Sequence, residues 1–219
     1  MSYQHQWLDG TRINLPVGKA VCVGRNYAAH AKELGNVVPD APILFLKPST
    51  AIVPLSPSFS IPSDRGSCHH ETEIAVLIGQ TISKIDVKDA PAAILGYGLA
   101  LDLTLRDLQN QLKKQGYPWE VAKAFDGACP LSPFMKPEQL GDVYHTEFTL
   151  TVNGEPRQQG LTDDMITPVY ELIAYISQIF TLEAGDIVLT GTPEGVAALA
   201  VGDKLVLSVV GQRFETQVI

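Results

Sequence analysis

The chain has 219 residues, of which 45% are hydrophobic and 18% are charged, a composition typical of a globular protein with one main core. A formal net charge of -8, with Lys113-Lys114 as the only basic pair, argues against a protein that binds nucleic acid through its phosphates. The cysteines, Cys22, Cys68 and Cys129, are odd in number and widely spaced, so neither a disulfide framework nor a thiolate zinc site is indicated.

Targeting and membrane segments are absent from the sequence pattern. Residues 1–7 contain neither the basic region nor the apolar stretch of a secretory signal. No uninterrupted apolar run approaches the length of a membrane span. We therefore expect a soluble protein of the cytoplasm or an organelle matrix, with no membrane partner.

Short apolar and β-branched runs, separated by 15 prolines and 18 glycines, predict a chain rich in strands. In chain order the predicted strands are 20–23, 43–46, 74–78, 94–101, 148–152, 187–189, 205–210 and 214–218. Helical periodicity predicts helices at 26–34, 105–114 and 168–180. Asn153-Gly154 predicts a type I′ hairpin, and Gly211-Gln212 predicts the turn of a second hairpin near the C-terminus.

The order of these elements predicts the fold class. The strands do not alternate regularly with helices, which argues against a doubly wound α/β sheet. We expect an α+β, strand-rich domain, a mixed roll or sandwich with a few short helices.

Three carboxylates lie next to predicted strands and suggest a metal site. Glu71 and Glu73 are at positions i and i+2, which share one face of a strand, and Asp102 follows another strand. Neighbouring like charges need a neutralising cation, and three oxygen ligands without cysteine suit Mg²⁺, Mn²⁺ or Ca²⁺. The alternative is a solvated edge strand for the two glutamates, with Asp102 or Thr104 as a helix N-cap.

A second candidate group is the pair His30 and Glu33, three residues apart on a predicted helix. Residues at this spacing face the same side, and a carboxylate beside an imidazole orients it and raises its basicity. Such a pair can activate water as a general base. The alternative is a surface pair on an amphipathic helix.

Lys123 is the third candidate, because it stands among apolar and aromatic residues in the segment 117–126. Its ammonium group could stabilise an enolate or a carboxylate. The alternative is a lysine that extends its amine to solvent.

Six motifs in the same order resemble those of the fumarylacetoacetate hydrolase family. They are 23–30 (VGRNYAAH), 45–48 (FLKP), 70–73 (HETE), 99–104 (LALDLT), 123–126 (KAFD) and 189–196 (LTGTPEGV). The resemblance implies the mixed β-sandwich roll of that family's C-terminal domain, with residues 1–18 as a lead-in segment and 19–219 as the catalytic domain. It also implies a homodimer.

The resemblance assigns roles to individual residues. It implies Mg²⁺ or Mn²⁺ held by Glu71, Glu73 and Asp102, a dyad of His30 and Glu33 on a mobile lid that activates water, and Lys123 as the group that stabilises an enolate. The residues that it implies for binding a small keto-acid substrate are Arg25, Arg106, Gln109 and Thr192.

Two departures from the family pattern matter. The chain is too short for the extra N-terminal domain of fumarylacetoacetate hydrolase itself, so we expect it to be closer to the single-domain acylpyruvate hydrolases. Where the family commonly has glycine after Gly195-Val196, this chain has Ala197-Ala198. The loop beside Thr192 is therefore expected to follow a different backbone path.

The leading expectation is a metal-dependent acylpyruvate hydrolase, which cleaves 2,4-dioxo acids to pyruvate and a carboxylic acid, with oxaloacetate decarboxylation as a further activity. One alternative is an isomerase or tautomerase of oxaloacetate or of a 2-hydroxy-dienoate from aromatic catabolism. Another is a non-enzymatic protein that binds a divalent cation. His30 with Glu33 favours hydrolysis, because water activation needs a base.

Overall fold

The computed structural model describes residues 3–33, 35 and 37–219. The strands among these residues are β1 (Ala20–Gly24), β2 (Ile43–Lys47), β3 (Ile52–Pro54), β4 (Ser58–Phe59), β5 (Cys68–His70), β6 (Thr72–Ile78), β7 (Ile94–Leu101), β8 (Thr104–Leu105), β9 (Cys129–Leu131), β10 (Glu147–Val152), β11 (Glu155–Leu161), β12 (Ile187–Leu189), β13 (Ala197–Ala198), β14 (Lys204–Val209) and β15 (Gln212–Val218). The helices are α1 (Ala28–Glu33), α2 (Ala90–Ala93), α3 (Arg106–Gln115), α4 (Glu120–Lys123), α5 (Pro137–Leu140) and α6 (Val169–Ile179), with short 3-10 turns at Ser49–Ala51, Val87–Asp89 and Thr162–Asp164.

A mixed seven-stranded sheet forms the centre of the fold, in the order β2-β1-β12-β6-β7-β9-β3. The pairs β1/β12 and β3/β9 are parallel, and the remaining pairs are antiparallel. Every residue of β6 and β12 is buried. The apolar sequences of β12 and of β6 after Glu73 fit this position, because a strand covered on both faces needs no polar alternation.

A five-stranded sheet, in the order β11-β10-β14-β15-β4, packs against the first through contacts of β10 with β6 and of β14 with β7. Its long strands alternate buried and more exposed residues, so one face meets the core and the other faces solvent. A third, three-stranded sheet, in the order β13-β5-β8, lies next to the start of β6. The two large sheets make the sandwich, and the small sheet brings separate segments to one end of it.

The predicted strand-rich α+β roll is confirmed. All eight predicted strands and the three predicted helices occur, with ends that differ by at most two residues; Leu34, the last residue of the first predicted helix, lies outside the described residues. The type I′ hairpin is confirmed by φ values of 54° at Asn153 and 83° at Gly154. The last hairpin turns at Val210-Gly211, one residue earlier than predicted, because Gln212 already pairs with Val209.

Residues outside the large sheets complete the core. His5 is fully buried, and its Nε2 lies 3.1 Å from the carbonyl oxygen of Gly185.

The three cysteines are free and buried. No helix among the described residues is long and apolar enough to span a membrane. The domain boundary at residue 18 stays a prediction.

Candidate metal centre and active-site pocket

The strand register brings the three predicted metal ligands together. β6 and β7 pair antiparallel, with Thr72 opposite Leu101, so Glu71 lies opposite Asp102 just beyond the paired strands. The amide of Asp102 donates to the carbonyl oxygen of Glu71 at 2.8 Å. Glu73 is in β6, one residue inside the ladder. Two neighbouring strands in the middle of the large sheet therefore present three carboxylates at one of their ends.

These carboxylates have the arrangement of a divalent-cation site. Glu71, Glu73 and Asp102 each offer one oxygen, and these oxygens all lie within 4.8 Å of one another. Oδ1 of Asp102 is buried, and the ammonium of Lys47 lies 2.7 Å from it. The donor set consists only of hard oxygens, which fits Mg²⁺ or Mn²⁺.

The alternative of a solvated edge strand is wrong. Glu71, Glu73 and Asp102 are buried, at 5%, 1% and 1% exposure. The N-cap of α3 is Leu105, without a side-chain capping bond, so neither Asp102 nor Thr104 caps the helix. Glu71 directly precedes β6 instead of lying within it.

Three cations surround the carboxylates. Lys123 Nζ is 2.8 Å from Glu71 Oε2 and 2.6 Å from Asp102 Oδ2, and Arg106 Nη2 forms an ion pair with Glu71 Oε1. Lys47 is fully buried and forms an ion pair with Asp102, with Nζ 2.7 Å from Oδ1. The sequence analysis missed Lys47 as a site residue, although its motif had been noted. Lys123 is 3% exposed, which excludes the alternative in which it reaches solvent.

The two glutamates have opposite electrostatic environments. Burial alone would raise the pKa of Glu71, but Lys123 and Arg106 hold that pKa well below its usual value. Burial raises the pKa of Glu73 well above its usual value, and Asp102 and Glu71 raise it further. Burial would lower the pKa of Lys123, but Asp102 and Glu71 hold that pKa above its usual value. Lys123 is therefore a fixed positive charge beside the carboxylates.

A pocket opens above this cluster and is lined by nine of the ten predicted site residues. They are Arg25, His30, Glu71, Glu73, Asp102, Arg106, Gln109, Lys123 and Thr192. The sequence analysis missed its other lining residues, which are Val23, Gly24, Phe45, Lys113 and Trp119. Phe45 lies under the ammonium of Lys123, 5.0 Å from Nζ to the ring centroid, in a cation–π contact.

The tenth predicted residue, Glu33, meets His30 at the pocket wall. His30 Nδ1 lies 3.2 Å from Glu33 Oε2, and the amide of Gly195 donates to Glu33 Oε1 at 3.0 Å. His30 is 5% exposed and lines the pocket, whereas Glu33 is exposed, so the alternative of a surface pair is wrong for the histidine alone. With Nδ1 directed at Glu33, Nε2 is the ring nitrogen left for the pocket.

The predicted substrate-binding residues are placed around the same pocket. Arg106 Nη1 donates to Gln109 Oε1 at 2.7 Å, and its buried Nε has no hydrogen-bond partner among the described residues. Arg25 has a φ of 61°, uncommon for a residue with a side chain. Thr192 lines the pocket although Ala197 and Ala198 replace the usual glycine; these two residues form β13. The substrate-binding roles stay predictions.

Comparison with known proteins agrees with the motifs. The family described as Fumarylacetoacetate (FAA) hydrolase C-terminal matches residues 19–218. The chain belongs to the fumarylacetoacetate hydrolase family. It is 53% identical over 218 residues to oxaloacetate tautomerase YcgM of Escherichia coli (strain K12), covering 99% of this chain and 100% of that protein.

Two further members of the fumarylacetoacetate hydrolase family are informative. The mitochondrial oxaloacetate decarboxylase of Dictyostelium discoideum is 43% identical over 200 residues, which cover 91% of this chain and 92% of that protein. The crystal structure of fumarylpyruvate hydrolase from Pseudomonas aeruginosa, in complex with Mn²⁺ and pyruvate, superposes with a TM-score of 0.92 at 36% identity. That match covers 100% of this chain and 96% of the other.

Proposed function

We propose that this enzyme is a divalent-metal-dependent oxaloacetate tautomerase that uses Mg²⁺ or Mn²⁺, with oxaloacetate decarboxylation as a further activity. The observation that carries the proposal is the buried cluster of Glu71, Glu73, Asp102 and Lys123 in a chain so similar to an oxaloacetate tautomerase over its whole length. Both reactions develop negative charge on the keto oxygen of the substrate. A bound metal ion would supply the Lewis acid for that oxygen.

The residues of the chain supply the remaining parts of such a reaction. Tautomerisation moves a proton between C3 and the keto oxygen, so the site needs a cation for the enolate and a group that carries the proton. Lys123 is a fixed cation at the base of the pocket. His30, held through Nδ1 by Glu33, presents Nε2 as the proton carrier.

The charges around the pocket favour a substrate with two carboxylates. Arg25, Arg106 and Lys113 line it in addition to Lys123. Arg106 lines the pocket, and its guanidinium suits one substrate carboxylate. Arg25 and Lys113 add positive charge to the lining of the pocket, which suits a second substrate carboxylate; oxaloacetate has one and acetylpyruvate lacks it.

Acylpyruvate hydrolysis, the leading expectation from the sequence, becomes the second candidate. The hydrogen bond between His30 and Glu33 supports it, because water activation needs an oriented base. The fumarylpyruvate hydrolase also supports it, but at lower identity than the tautomerase. Membership of an enzyme family removes the ground for a non-enzymatic cation-binding protein. The homodimer and the cytoplasmic location stay predictions.

Three reactions measured in parallel test the proposal. Freshly dissolved enol oxaloacetate is followed by the loss of its ultraviolet band, decarboxylation by pyruvate release, and cleavage by the loss of acetylpyruvate, each with Mg²⁺, with Mn²⁺ and with a chelator. We expect metal-dependent acceleration of the enol–keto step to exceed both other activities. Rapid cleavage of acetylpyruvate with no effect on oxaloacetate tautomerisation would make the hydrolase the function.

The variant His30→Ala separates the two candidates further. We expect His30→Ala to reduce both the cleavage of acetylpyruvate and the C3 deuterium exchange of pyruvate by about 10², as for the loss of a general base, because His30 is the proposed proton carrier. Loss of cleavage alone, with C3 exchange retained, would favour the hydrolase and limit His30 to water activation. Lys123→Ala should reduce both, because enolate charge develops in each. Lys32→Ala is the control, since Lys32 is an exposed residue of the same helix. Equal losses of both reactions in His30→Ala would contradict a role limited to water activation.

A further inference from the structure

The side-chain amide of Gln158, which lies outside the pocket, contacts two segments. One is the metal-binding strand, defined as β6 with the preceding Glu71, and the other is the loop after β12 that carries Thr192. Gln158 is in β11, where the residues on either side of it are exposed, and it is itself 3% exposed. An inward position in a sheet that packs on the core normally carries an apolar side chain. A glutamine there needs partners for all of its polar atoms.

The amide of Gln158 uses its full hydrogen-bonding capacity. Its Oε1 accepts from the backbone amide of Thr72 at 3.0 Å and lies 3.1 Å from His70 Nδ1. Its Nε2 donates to Thr192 Oγ1 at 2.8 Å and to the carbonyl oxygen of Pro193 at 3.0 Å. The two backbone partners fix its orientation, because a flipped amide would oppose donor to donor at Thr72 and acceptor to acceptor at Pro193.

The same contacts define the state of the neighbouring imidazole. Because Oε1 of Gln158 can only accept, His70 must carry its proton on Nδ1. The Gln158 bridge consists of the hydrogen bonds of this amide to His70, Thr72, Thr192 and Pro193. It leaves none of the amide's own donors or acceptors unpaired.

One side of this bridge is the metal-binding strand. Thr72 stands between Glu71 and Glu73, so its backbone position sets the separation of two of the three carboxylates. Its amide is held by Gln158 and its carbonyl oxygen accepts from the hydroxyl of Thr192 at 2.9 Å. Loss of Gln158 would remove the bond that holds the amide of Thr72, while the pairing with β7 would remain.

The other side is the loop after β12, which contacts the dyad. Thr192 lines the pocket, and three residues later the amide of Gly195 donates to Glu33. Gly195 packs so tightly on β11 that an added Cβ would lie 1.9 Å from the carbonyl oxygen of Arg157. The loop is therefore fixed to β11 at two adjacent residues, Arg157 and Gln158, and in turn holds Glu33 against His30.

We propose that Gln158 is a positioning residue that aligns the metal-binding strand with the Thr192 loop and, through that loop, the His30–Glu33 dyad. It touches neither the substrate nor the carboxylates; it acts through Thr72, Thr192 and Pro193. The effect on catalysis rests on the proposed function, whereas the effect on metal binding does not. Groups that orient metal ligands typically change metal affinity or activity by about 10- to 100-fold when removed.

Two substitutions of Gln158 separate its contact with Thr72 from its contacts with the Thr192 loop. Gln158→Glu keeps an acceptor for the amide of Thr72 but loses both donors to the loop. Gln158→Met loses the contact with Thr72 and the contacts with the loop. We expect Gln158→Glu to reduce kcat for oxaloacetate tautomerisation about tenfold or more with an unchanged Kd for Mn²⁺. Gln158→Met should reduce kcat and also weaken Mn²⁺ binding, measured by electron paramagnetic resonance of the free ion, about tenfold or more.

The neighbouring Gln159 provides the matched control. It is exposed on the same strand, and its side chain donates to Glu147 at 2.7 Å, so Gln159→Met should leave kcat and the Kd for Mn²⁺ unchanged. A second readout is a double-mutant cycle with Glu33→Ala. If Gln158 acts through the loop that holds Glu33, Gln158→Glu should lose most of its effect on kcat in that background.

The outcomes decide between the inference and its failure. A folded Gln158→Glu with kcat within twofold of wild type, or with a loss fully additive with that of Glu33→Ala, would overturn the claim that Gln158 positions the Thr192 loop. An unchanged Kd for Mn²⁺ in folded Gln158→Met would overturn the claim that it positions the metal-binding strand. If Gln158→Met does not fold, Gln158→Glu still tests the loop. A wild-type enzyme without tautomerase activity would refute the proposed function alone, and the Mn²⁺ measurements would still test the position of Gln158.

Discussion

Glu71 and Glu73 are both metal-ligand candidates, yet their surroundings predict opposite effects on stability. Glu71 faces Lys123 and Arg106, whereas Glu73 faces the carboxylates of Asp102 and Glu71 and accepts a hydrogen bond from the amide of Gly191. The sequence could place both on one site but could not distinguish them. The cations come from α3 and α4, whose positions depend on the tertiary fold.

The first prediction compares the stabilities of the variants Glu71→Gln and Glu73→Gln in metal-free protein. Glu71→Gln should reduce the free energy of unfolding by about 3 kcal/mol, since it leaves buried cations without their partner. Glu73→Gln should leave it unchanged or raise it, because the amide keeps the bond from Gly191 and removes a disfavoured charge. Urea unfolding with a chelator present measures both.

The pH dependence of Glu73→Gln follows from the raised pKa of Glu73. A carboxyl whose pKa is higher in the folded than in the unfolded state costs stability above its unfolded pKa, and the cost grows until the pH passes the folded pKa. The advantage of Glu73→Gln over wild type should therefore be larger at pH 8 than at pH 5. A variant that becomes less stable than wild type as the pH rises would contradict this assignment.

The second prediction concerns Lys113 as a residue that binds the second carboxylate of the substrate. Lys113→Met should raise KM for oxaloacetate about tenfold, the scale of one charge-assisted hydrogen bond. It should leave the C3 deuterium exchange of pyruvate, which has one carboxylate, within about twofold. Lys114→Met is the control, because Lys114 is exposed and does not line the pocket. An equal loss with both substrates would remove Lys113 from carboxylate recognition.

At the scale of secondary-structure elements, length decided what the sequence could predict. The long apolar runs of β6 and β7 and the periodic helix α6 were predicted to within two residues. Of the strands with two or three residues among the described residues, β12 was predicted and six were not; these are β3, β4, β5, β8, β9 and β13. Such short strands have no periodicity of their own and form only where a neighbouring strand supplies hydrogen bonds. β5 and β13 illustrate this, since they pair through His70 and Ala197, far apart in the chain. The seven-residue β11 was predicted only as the second arm of the Asn153-Gly154 hairpin, because its sequence EPRQQGL lacks an apolar pattern.

The third prediction tests a turn that the sequence did specify. Gly154 has a φ of 83°, and an added Cβ would meet no atom within 4 Å, so only the backbone conformation opposes a side chain. Gly154→Ala should therefore reduce the free energy of unfolding by about 1 kcal/mol. Gly154→Asn should cost less, because asparagine tolerates this region. Equal stability of wild type and Gly154→Ala in urea unfolding would contradict the turn assignment.

At the scale of the whole molecule, the site exists only when distant segments have folded together. The residues that line the pocket come from β1, α1, the neighbouring ends of β6 and β7, α3, α4 and the loop after β12. The motifs identified these segments through a family resemblance, but spacing alone could not give their distances. Lys47 shows the limit: a buried lysine in a strand resembles a solvated charge until the fold places Asp102 beside it.

The last prediction links the metal site to the stability of this assembly. Ligands from separate strands come together only in the folded state, so a bound ion stabilises that state by about 2.7 kcal/mol at a concentration one hundred times its Kd. For a chain of this size, we expect Mn²⁺ to raise Tm by about 5 to 10 °C over chelated protein. Mg²⁺ should act in the same direction at its own saturating concentration, because the three oxygens suit both ions. Glu73→Gln should show no shift with either ion while it keeps the Tm of chelated wild type or a higher one. A shift of the same size in Glu73→Gln would mean that the stabilising ion binds elsewhere on the molecule.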